Sequence, residues 1–543
     1  MIEEKSIGFL INGISLSPDV DENEACSIAA TEMKRAGISP ARLRFDIYKR
    51  SVDARRKDRV RLVYSISVRS KNGEKIEPPI RSRYGITPLY DREIQAESGS
   101  EKSPYSPLIV GMGPAGLFCA LLLAERGYSP TIIDRGDSIA QRSRAHGRFV
   151  QEGILDTESN IQFGAGGAGT YSDGKLLTRV NDPRVAYVLS RFCEFGAPEE
   201  IMISAKPHIG TDRLMEVVDR MLSRIEELGG RVLYRCRLDG ISEMADGSIV
   251  AKTTKGEIHS SALVLAPGHS ARDTYAMLMQ NGYAIEAKPF SVGVRIEHLQ
   301  SKIDEALYGS WAGHPRIGRG EYHLSDTTSG RGVYTFCMCP GGQVVAAASE
   351  EGGVVVNGMS VYARDGKNAN SAVCVSVRPE DYGATPELAI AFQRNLEKAA
   401  FLAGGSDYYA PIQTVGDFLQ GKQGSEPTTV LPTYRDGRVR CVSMDRILPS
   451  FVTEELRRGL HSFDRKLLGF AHSEAVLSGV ETRTSAPVRI LRDDQMRALG
   501  HTNVYPCGEG AGYAGGITSA ALDGIRVAER LIERFQPNEK DFC

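Results

Sequence analysis

The 543-residue chain has one tryptophan, 7% aromatic residues and no excess of either charge, with 66 basic against 68 acidic side chains. That balance removes any global pull toward nucleic acid or anionic lipid. Long apolar runs are missing too. The longest, Leu117 to Ala124, falls well short of the roughly 20 residues of a membrane helix. The opening MIEEKSIGFLING is acidic and carries no extended apolar stretch, so a secretory leader is not expected. The ten cysteines include no C-x-x-C spacing. This excludes a zinc finger or an iron–sulfur cluster, leaves no metal site to expect, and fits a reducing cytoplasm. What remains is an ordinary globular composition, 41% hydrophobic and 25% charged, in a chain too long for one core.

Against that background Leu108 to Gly116, LIVGMGPAG, stands out. An apolar run meets Gly111, Gly113 and Gly116 in the order G-x-G-x-x-G, and Pro114 and Ala115 open a helix-forming run behind them. Gly111 permits the tight turn, Gly113 leaves no side chain between backbone and a pyrophosphate, and Gly116 lets the helix pack close to the strand. The helix start aims free N–H groups at phosphate. A second apolar run, Thr131 to Ile133, ends at Asp134, 18 positions after Gly116, where a carboxylate takes ribose hydroxyls.

NAD and FAD share this turn, so the choice rests on three further segments. Ala262 to His269 reads as a strand ending in the small-residue turn Ala266, Pro267 and Gly268, which admits a second close backbone approach. Val504 to Ser519 reads as a strand reaching Gly508 and Glu509, then a glycine-rich loop opening a helix near Gly516, Ile517 and Thr518. Glu509 suits ribityl or ribose hydroxyls, and the helix start suits the flavin edge where reduction builds negative charge. Phe163 to Lys175 is followed by no apolar helix, and reads as a loop hugging the cofactor through Gly166, Gly167, Ala168, Gly169 and Thr170.

With these motifs in place the chain resembles the two-dinucleotide-domain flavoproteins related to glutathione reductase. More narrowly it is similar to a family of FAD-dependent dehydrogenases of unassigned substrate, through KPHIGTDRL, LAPGHSARDTY, KPFSVGVRIEH, YTFCMCPGGQVV, GVETRTSAPVRI and YPCGEGAGYAGGITSAALDG among others. Asp134 stands where that family's pattern has glutamate. The resemblance implies that Arg135 and Arg142 approach adenosine or phosphate groups, and that Leu238 lies where backbone groups clasp the adenine.

The fold expected is α/β: a discontinuous Rossmann-like FAD-binding domain with an inserted strand-rich α+β substrate or cap domain and a small N-terminal α+β domain. Residues 1–96 form the N-terminal unit, strand–helix–strand–strand, followed by a Ser-, Gly- and Pro-bearing linker up to Pro107. Residues 97–290 and 485–543 form the two parts of the FAD domain, and 291–484 loop out between them, because cofactor motifs occupy both ends of the chain. Lys49 to Arg61 carries seven basic against two acidic side chains. A solvated hairpin turn is the favoured reading, and an RNA or phosphate contact the alternative.

The substrate, a small organic molecule, is expected between the flavin and the cap. Candidate catalytic residues are Arg295 and Glu297, sharing a strand face with His298 turned away, for an anionic substrate and a proton; a buried ion pair fastening the insert is the competing reading. Cys337 and Cys339, two apart, are either redox-active toward the flavin or small core residues. Asn357, Ser360, Glu481, Arg483 and Ser485 are cap-side candidates or loop fasteners. The expected activity is FAD-dependent hydride transfer. If a nicotinamide, NAD(P)H, is the electron donor, it docks transiently in the cap cleft. A flavin-bearing RNA-binding or RNA-modifying protein, and a flavin redox sensor, are the alternatives.

Overall fold

Alternating apolar residues build the first unit. The computed structural model describes residues 2–74, 76–79, 82–94, 96–178 and 180–537. Strand β1 (Ile2–Leu16) is followed by helix α1 (Asn23–Arg35), then β2 (Leu43–Asp53), β3 (Arg61–Ser70) and β4 (Gly85–Ile94), giving an antiparallel sheet in the order β2-β3-β1-β4. Leu62, Tyr64 and Ile66 of β3 point inward, at period two, against Ala25, Ala29 and Met33 of α1. The fourth strand is one more than the sequence pattern indicates. Its Pro88 lacks an N–H and interrupts the strand signal, which an edge position tolerates. The basic segment lies on the end of β2 and the β2–β3 turn. Val60 in it is buried with Tyr308 and Ile317, Ala54 and Trp311 pack beside them, and Arg50 is tied to Glu22 and Glu200.

The linker is not loose. Gly99 N donates to Ile532 O over 2.8 Å, and a Cβ on Gly99 would fall 2.2 Å from Arg534 O.

Beyond it β5 (Leu108–Val110), α2 (Pro114–Glu125), β6 (Thr131–Ile133), α3 (Ile139–Glu152), α4 (Arg184–Glu194), α5 (Thr211–Glu227) and β7 (Arg231–Leu233) follow in turn. The run Arg231 to Leu238, RVLYRCRL, reads as one strand from its pattern but breaks after Leu233, and β8 (Leu238–Glu243) starts an antiparallel sheet with β9 (Ile249–Thr253) and β10 (Gly256–Ser260). Then come β11 (Leu263–Leu265), α6 (Arg272–Gln280), β12 (Ile285–Ala287) and β13 (Phe290–Leu299). From the far end of the chain, two more short strands return to this region.

The chain continues through α7 (Gln300–Tyr308), β14 (Ser325–Asp326), β15 (Val333–Cys339), β16 (Gln343–Ala346), β17 (Val356–Met359), β18 (Asn368–Val377), α8 (Pro379–Tyr382), α9 (Pro386–Ala403), β19 (Ala410–Thr414), α10 (Val415–Leu419), β20 (Val439–Cys441), α11 (Ser450–Lys466), β21 (Val476–Glu481), β22 (Val488–Ile490), β23 (Val504–Pro506) and α12 (Ile517–Arg534). Seven strands form one sheet, β14-β15-β18-β13-β21-β19-β20, whose central β13 is buried from Phe290 to His298. Helices α9 and α11 contribute to its core. Antiparallel β12 and β22 pair where the chain enters and leaves this region.

A second sheet is parallel throughout, β23-β11-β5-β6-β7, with Leu108 opposite Leu263 and Leu263 opposite Val504. Helix α2, buried from Ala115 to Ala124, lies between this sheet and α5 and α12. Each fully buried Leu or Phe there stabilises the fold by roughly 1.5–3 kcal/mol. A Cβ on Gly524 of α12 would sit 2.0 Å from Ala115 O, so the two helices touch backbone to backbone. Among the described residues no helix is long and apolar enough to cross a membrane.

Candidate functional site

Four short strands, β23, β11, β5 and β6, end side by side and their turns define a groove. Ala266 N donates to Val110 O over 2.9 Å, Cys507 N to Leu265 O over 2.8 Å, and Gly111 N to Ile133 O over 2.8 Å. The carboxyl ends of adjacent parallel strands are where open α/β sheets bind ligands.

The glycines of the groove divide into two kinds. A Cβ on Gly111 would lie 2.0 Å from Ala266 O, and one on Gly116 1.9 Å from Gly111 O, so these two are demanded by packing; Gly111 is also left-handed at φ +107. Gly113, Gly268, Gly515 and Gly516 would meet nothing within 4 Å. They border free space, and Gly113 caps the start of α2, where Pro114 and Ala115 begin the helix. A cradle that is open, backbone-lined and at a helix N-terminus suits a pyrophosphate.

Asp134 ends β6 and is buried. Its Oδ2 accepts from Met112 N at 2.9 Å, and its Oδ1 from Gly136 N at 2.8 Å and Gly164 N at 2.9 Å. Three of about four acceptor positions are thus filled by backbone, leaving one for a ribose hydroxyl. The shorter aspartate ties the glycine turn to the 163–175 loop directly.

That loop runs as a 3-10 turn over Gly167–Tyr171, with Gly167, Ala168 and Gly169 partly exposed and Gly166 N donating to Met112 O at 2.8 Å. Arg142 underlies it and corrects the sequence expectation of a phosphate or adenosine contact. Its guanidinium donates to Asn160 O (2.7 Å), Ala165 O (2.6 Å), Thr170 Oγ1 (2.7 Å), Ile161 O (2.8 Å) and Gly167 O (2.8 Å). All five N–H donors are spent on the loop, so Arg142 shapes the site from below. Thr170 is likewise turned inward. Arg135 lies over the Phe163 ring at 4.4 Å and pairs with Glu158 and Asp273, both contacts within 3.0 Å. Leu238 turns its side chain into the core near Val110 and Ile133 and pairs with Thr253. The groups of that stretch nearest Asp134 are instead Arg235 N, bonded to Gly136 O at 2.9 Å, and Cys236 N, bonded to Asp134 O at 2.8 Å.

At the other end of the groove, Gly508 N is fixed by Asp523 Oδ2 at 2.7 Å, with Arg492 2.7 Å from the same carboxylate. Glu509 is half-buried. Burial pushes its carboxyl up to about 7, opposed by the Lys288 ammonium. The Thr518 hydroxyl donates to Leu176 O at 2.7 Å, pinning the start of α12 to the chain just past Lys175. Its side chain is therefore occupied, and Ile517 is buried. What Gly516, Ile517 and Thr518 offer the groove is backbone N–H. Cys507, beside Gly508, is buried and its thiol pushed well up by burial, as a packed small residue.

On the cap side Arg295 and Glu297 do not act together. Arg295 pairs with Glu481 of the neighbouring β21 at 2.9 Å, inside the seven-stranded sheet, and so does not fasten the insert to the FAD-binding sheet. It also donates to Asn370 Oδ1 (2.6 Å) and to Asn357 Oδ1 (3.2 Å). Glu297 accepts from Thr433 Oγ1 at 2.6 Å and Asn368 at 3.0 Å, and His298 bonds Phe470 O at 2.7 Å. Glu297 is buried and satisfied, so the substrate-binding and proton-passing role expected of it has no access. Ser360 bonds Asp173 of the glycine loop, and Arg483 pairs with Glu397 of α9 at 3.0 Å, so both side chains are spent on fastening. Cys337 and Cys339 end β15 beside Arg295, which donates to Cys337 O at 3.2 Å.

Two groups escaped sequence reasoning. Lys288, on the far side of β12, faces Glu509. Asp173 and Lys175 in the glycine loop are matched by Arg364 and Glu321, with Lys175 3.3 Å from Glu321. The repeated DGK at 173–175 and 365–367 was the available signal. A cavity of about 650 Å³ lies beyond that quartet, between β2, the 200–208 loop and the 307–319 segment. Its guanidinium groups are matched by carboxylates: Arg50 by Glu22, Arg316 by Glu22, Arg319 by Asp304 and Arg364 by Glu321.

Comparison with known proteins bears on the groove. Residues 105–152, which hold the glycine turn, α2, β6 and α3, match an FAD binding domain. Residues 289–484 match the C-terminal domain-like segment of an FAD-dependent protein, and residues 10–69 a domain of unknown function. FAD is the cofactor of this site, and the open glycines, the free acceptor position on Asp134 and the Glu509 carboxyl fit it. A Clostridium beijerinckii protein, described as an uncharacterized protein, is 44% identical over 97% of this chain and 98% of its own. Among solved structures, L-proline dehydrogenase from P. horikoshii is 14% identical, covering 79% of this chain and 93% of its own at a TM-score of 0.33. The halogenase PltM is 10% identical, covering 78% and 67% at 0.37. Overlaps that low say nothing about what this chain does.

Proposed function

Because the chain belongs to the family of FAD-dependent proteins that the Clostridium beijerinckii relative represents, we propose that it is an FAD-dependent oxidoreductase, a dehydrogenase passing hydride between flavin and a small organic substrate. The observation that carries the reading is the row of open glycines, Gly113, Gly268, Gly515 and Gly516, drawn from three separate stretches of chain.

When bound, FAD supplies the two-electron chemistry. The residues supply placement and charge. Gly113 and the first turn of α2 hold the pyrophosphate, and Asp134 fixes that turn while offering its remaining acceptor position to a ribose. Glu509 accepts from ribityl hydroxyls. The N–H groups of Gly516, Ile517 and Thr518 lower the energy of negative charge on the reduced ring. Gly167 to Gly169 close the groove from the side, held in shape by Arg142. The seven-stranded sheet caps the site, and substrate lies between it and the glycine loop. A nicotinamide donor, where one is used, docks in this same cleft. Cytoplasmic residence goes with the reading, supported by cysteines that are all free among the described residues.

The test is anaerobic. The purified protein should be yellow, and mixing it separately with NADH and NADPH should bleach the flavin absorbance with one of them. A colourless protein that refuses added FAD overturns the reading; a yellow one that neither nicotinamide bleaches removes the nicotinamide half-reaction.

A further inference from the structure

We infer that Cys337 and Cys339 are a dithiol redox pair that exchanges electrons with the flavin. The inference rests on the flavoprotein reading above and adds a second redox centre to the same site.

The pair sits where β15 leaves its partner. Phe336 is opposite Ala372 and Cys339 opposite Asn370, so the register shifts across Cys337, which adopts φ +45. A non-glycine residue in that region is strained and marks a position the surroundings hold in place. The distortion folds the Cys339 thiol back onto Cys337, so that Cys339 Sγ donates to Cys337 O at 3.3 Å. Arg295 lies against both, 3.2 Å from Cys337 O and 4.0 Å from Cys339 Sγ.

Cys337 also lies within electrostatic range of the cofactor groove. Cys337 is half-buried while Cys339 is fully buried. Two groups of the groove interact with Cys337 electrostatically: Lys175, next to the Leu176 carbonyl that holds α12, and Glu509. The Cys337 thiol is pushed down to about 6, first by the hydrogen bond from Cys339, then against burial by the Arg295 and Lys175 charges, while Cys339 is pushed up. Elsewhere the buried thiols of Cys119, Cys374 and Cys507 are all pushed up by burial. Among the described residues only the pair combines a cation, access and a second sulfur.

The chemistry balances. The Cys337 thiolate and the Cys339 thiol form one S–S bond and release two electrons and the Cys339 proton; oxidised flavin takes both electrons and that proton. In reverse, reduced flavin returns them and the S–S bond opens to thiolate and thiol. A bridge across one intervening residue is strained and therefore readily reduced.

The experiment uses the whole FAD-loaded protein. Air-oxidised protein should yield a peptide spanning Cys337 and Cys339 that lacks two hydrogens, and anaerobic dithionite titration should consume twice the reducing equivalents per FAD that Cys339→Ser consumes. On reduced wild-type protein, iodoacetamide at neutral pH should label Cys337 about tenfold faster than any other cysteine, a readout that needs no variant to fold. A yellow protein with equal titrations, no bridged peptide and no preferential labelling overturns the pair and leaves the flavoprotein reading intact. A colourless protein that takes up no FAD overturns both.

Discussion

Arg272 and Glu397 form a two-pronged buried ion pair, Nη1 to Oε2 at 2.9 Å and Nη2 to Oε1 at 2.7 Å. Arg272 opens α6, just past the Ala266–Gly268 turn, and Glu397 lies on α9 of the capping region. Arg483 reaches the same carboxylate from the returning chain at 3.0 Å. One carboxylate between two guanidinium groups thus sets how the cap lies over the cofactor groove.

Removing that charge should be expensive. Glu397→Gln leaves two buried guanidinium groups facing a neutral amide, and a loss of about 3–5 kcal/mol in urea unfolding is expected. Burial alone would raise the Glu397 carboxyl, but Arg483 and Arg272 hold it below the ordinary carboxylate range. A depressed folded pKa means stability that is present above the ordinary range and lost as pH falls through the folded value. Wild-type protein should therefore lose more stability than Glu397→Gln on acidification, measured as urea midpoints along a pH series.

The glycines should separate folding from cofactor binding. Gly113 has ordinary extended geometry and room for a Cβ, so Gly113→Ala should cost the apo-protein no more than the loss of a helix N-cap, about 1 kcal/mol. Its FAD dissociation constant should rise at least about tenfold, near 1.4 kcal/mol, by flavin fluorescence titration. Gly116→Ala should behave oppositely, failing to fold or melting far earlier, because its Cβ would overlap Gly111 O.

Glu509 predicts a pH effect of opposite sign. Its folded pKa is raised to about 7, so its contribution favours the folded apo-protein below the ordinary range near 4.5 and fades as pH climbs toward 7. Apo wild type should lose stability relative to Glu509→Gln across that interval. A flat difference between the two would show that the carboxyl is not sunk in the groove. Glu509→Gln should also weaken FAD binding, by roughly 1.5–3 kcal/mol for a charged acceptor lost.

Arg142→Ala should release the 160–171 loop. Each carbonyl left without a donor costs about 1–3 kcal/mol, and Arg142→Lys should not rescue, since an ammonium has three donors on a single point. Limited proteolysis should cut wild type last and both variants early within that loop.

The local elements around the groove were legible because they follow period and punctuation. The run LIV, the Pro-led helix and the run TII stand in the structure as β5, α2 and β6. Arg142 was misread for a physical reason. Its five donors meet carbonyls of a loop whose shape depends on Asp134 reaching Gly164 N, a long-range contact with no local signature. Leu238 pairs with Thr253 at the head of β8, a strand that begins only after a turn at Arg235, a non-glycine residue at φ +50 that no local pattern marks. Glu297 and Arg295 do share one strand face, yet their partners, Thr433 and Glu481, come from distant segments that no spacing rule brings near.

The parallel sheet joins residue 108 to residue 504 through residue 263. On a ribosome, β5 and β11 emerge nearly 240 residues before β23 can flank them. The nascent chain must carry its half-built binding cleft, with an open strand edge, while the whole intervening region is translated. Such long-range closure is slow and leaves apolar surface exposed meanwhile. The groove proposed for FAD therefore has all of its walls only after β23 and α12 have been made.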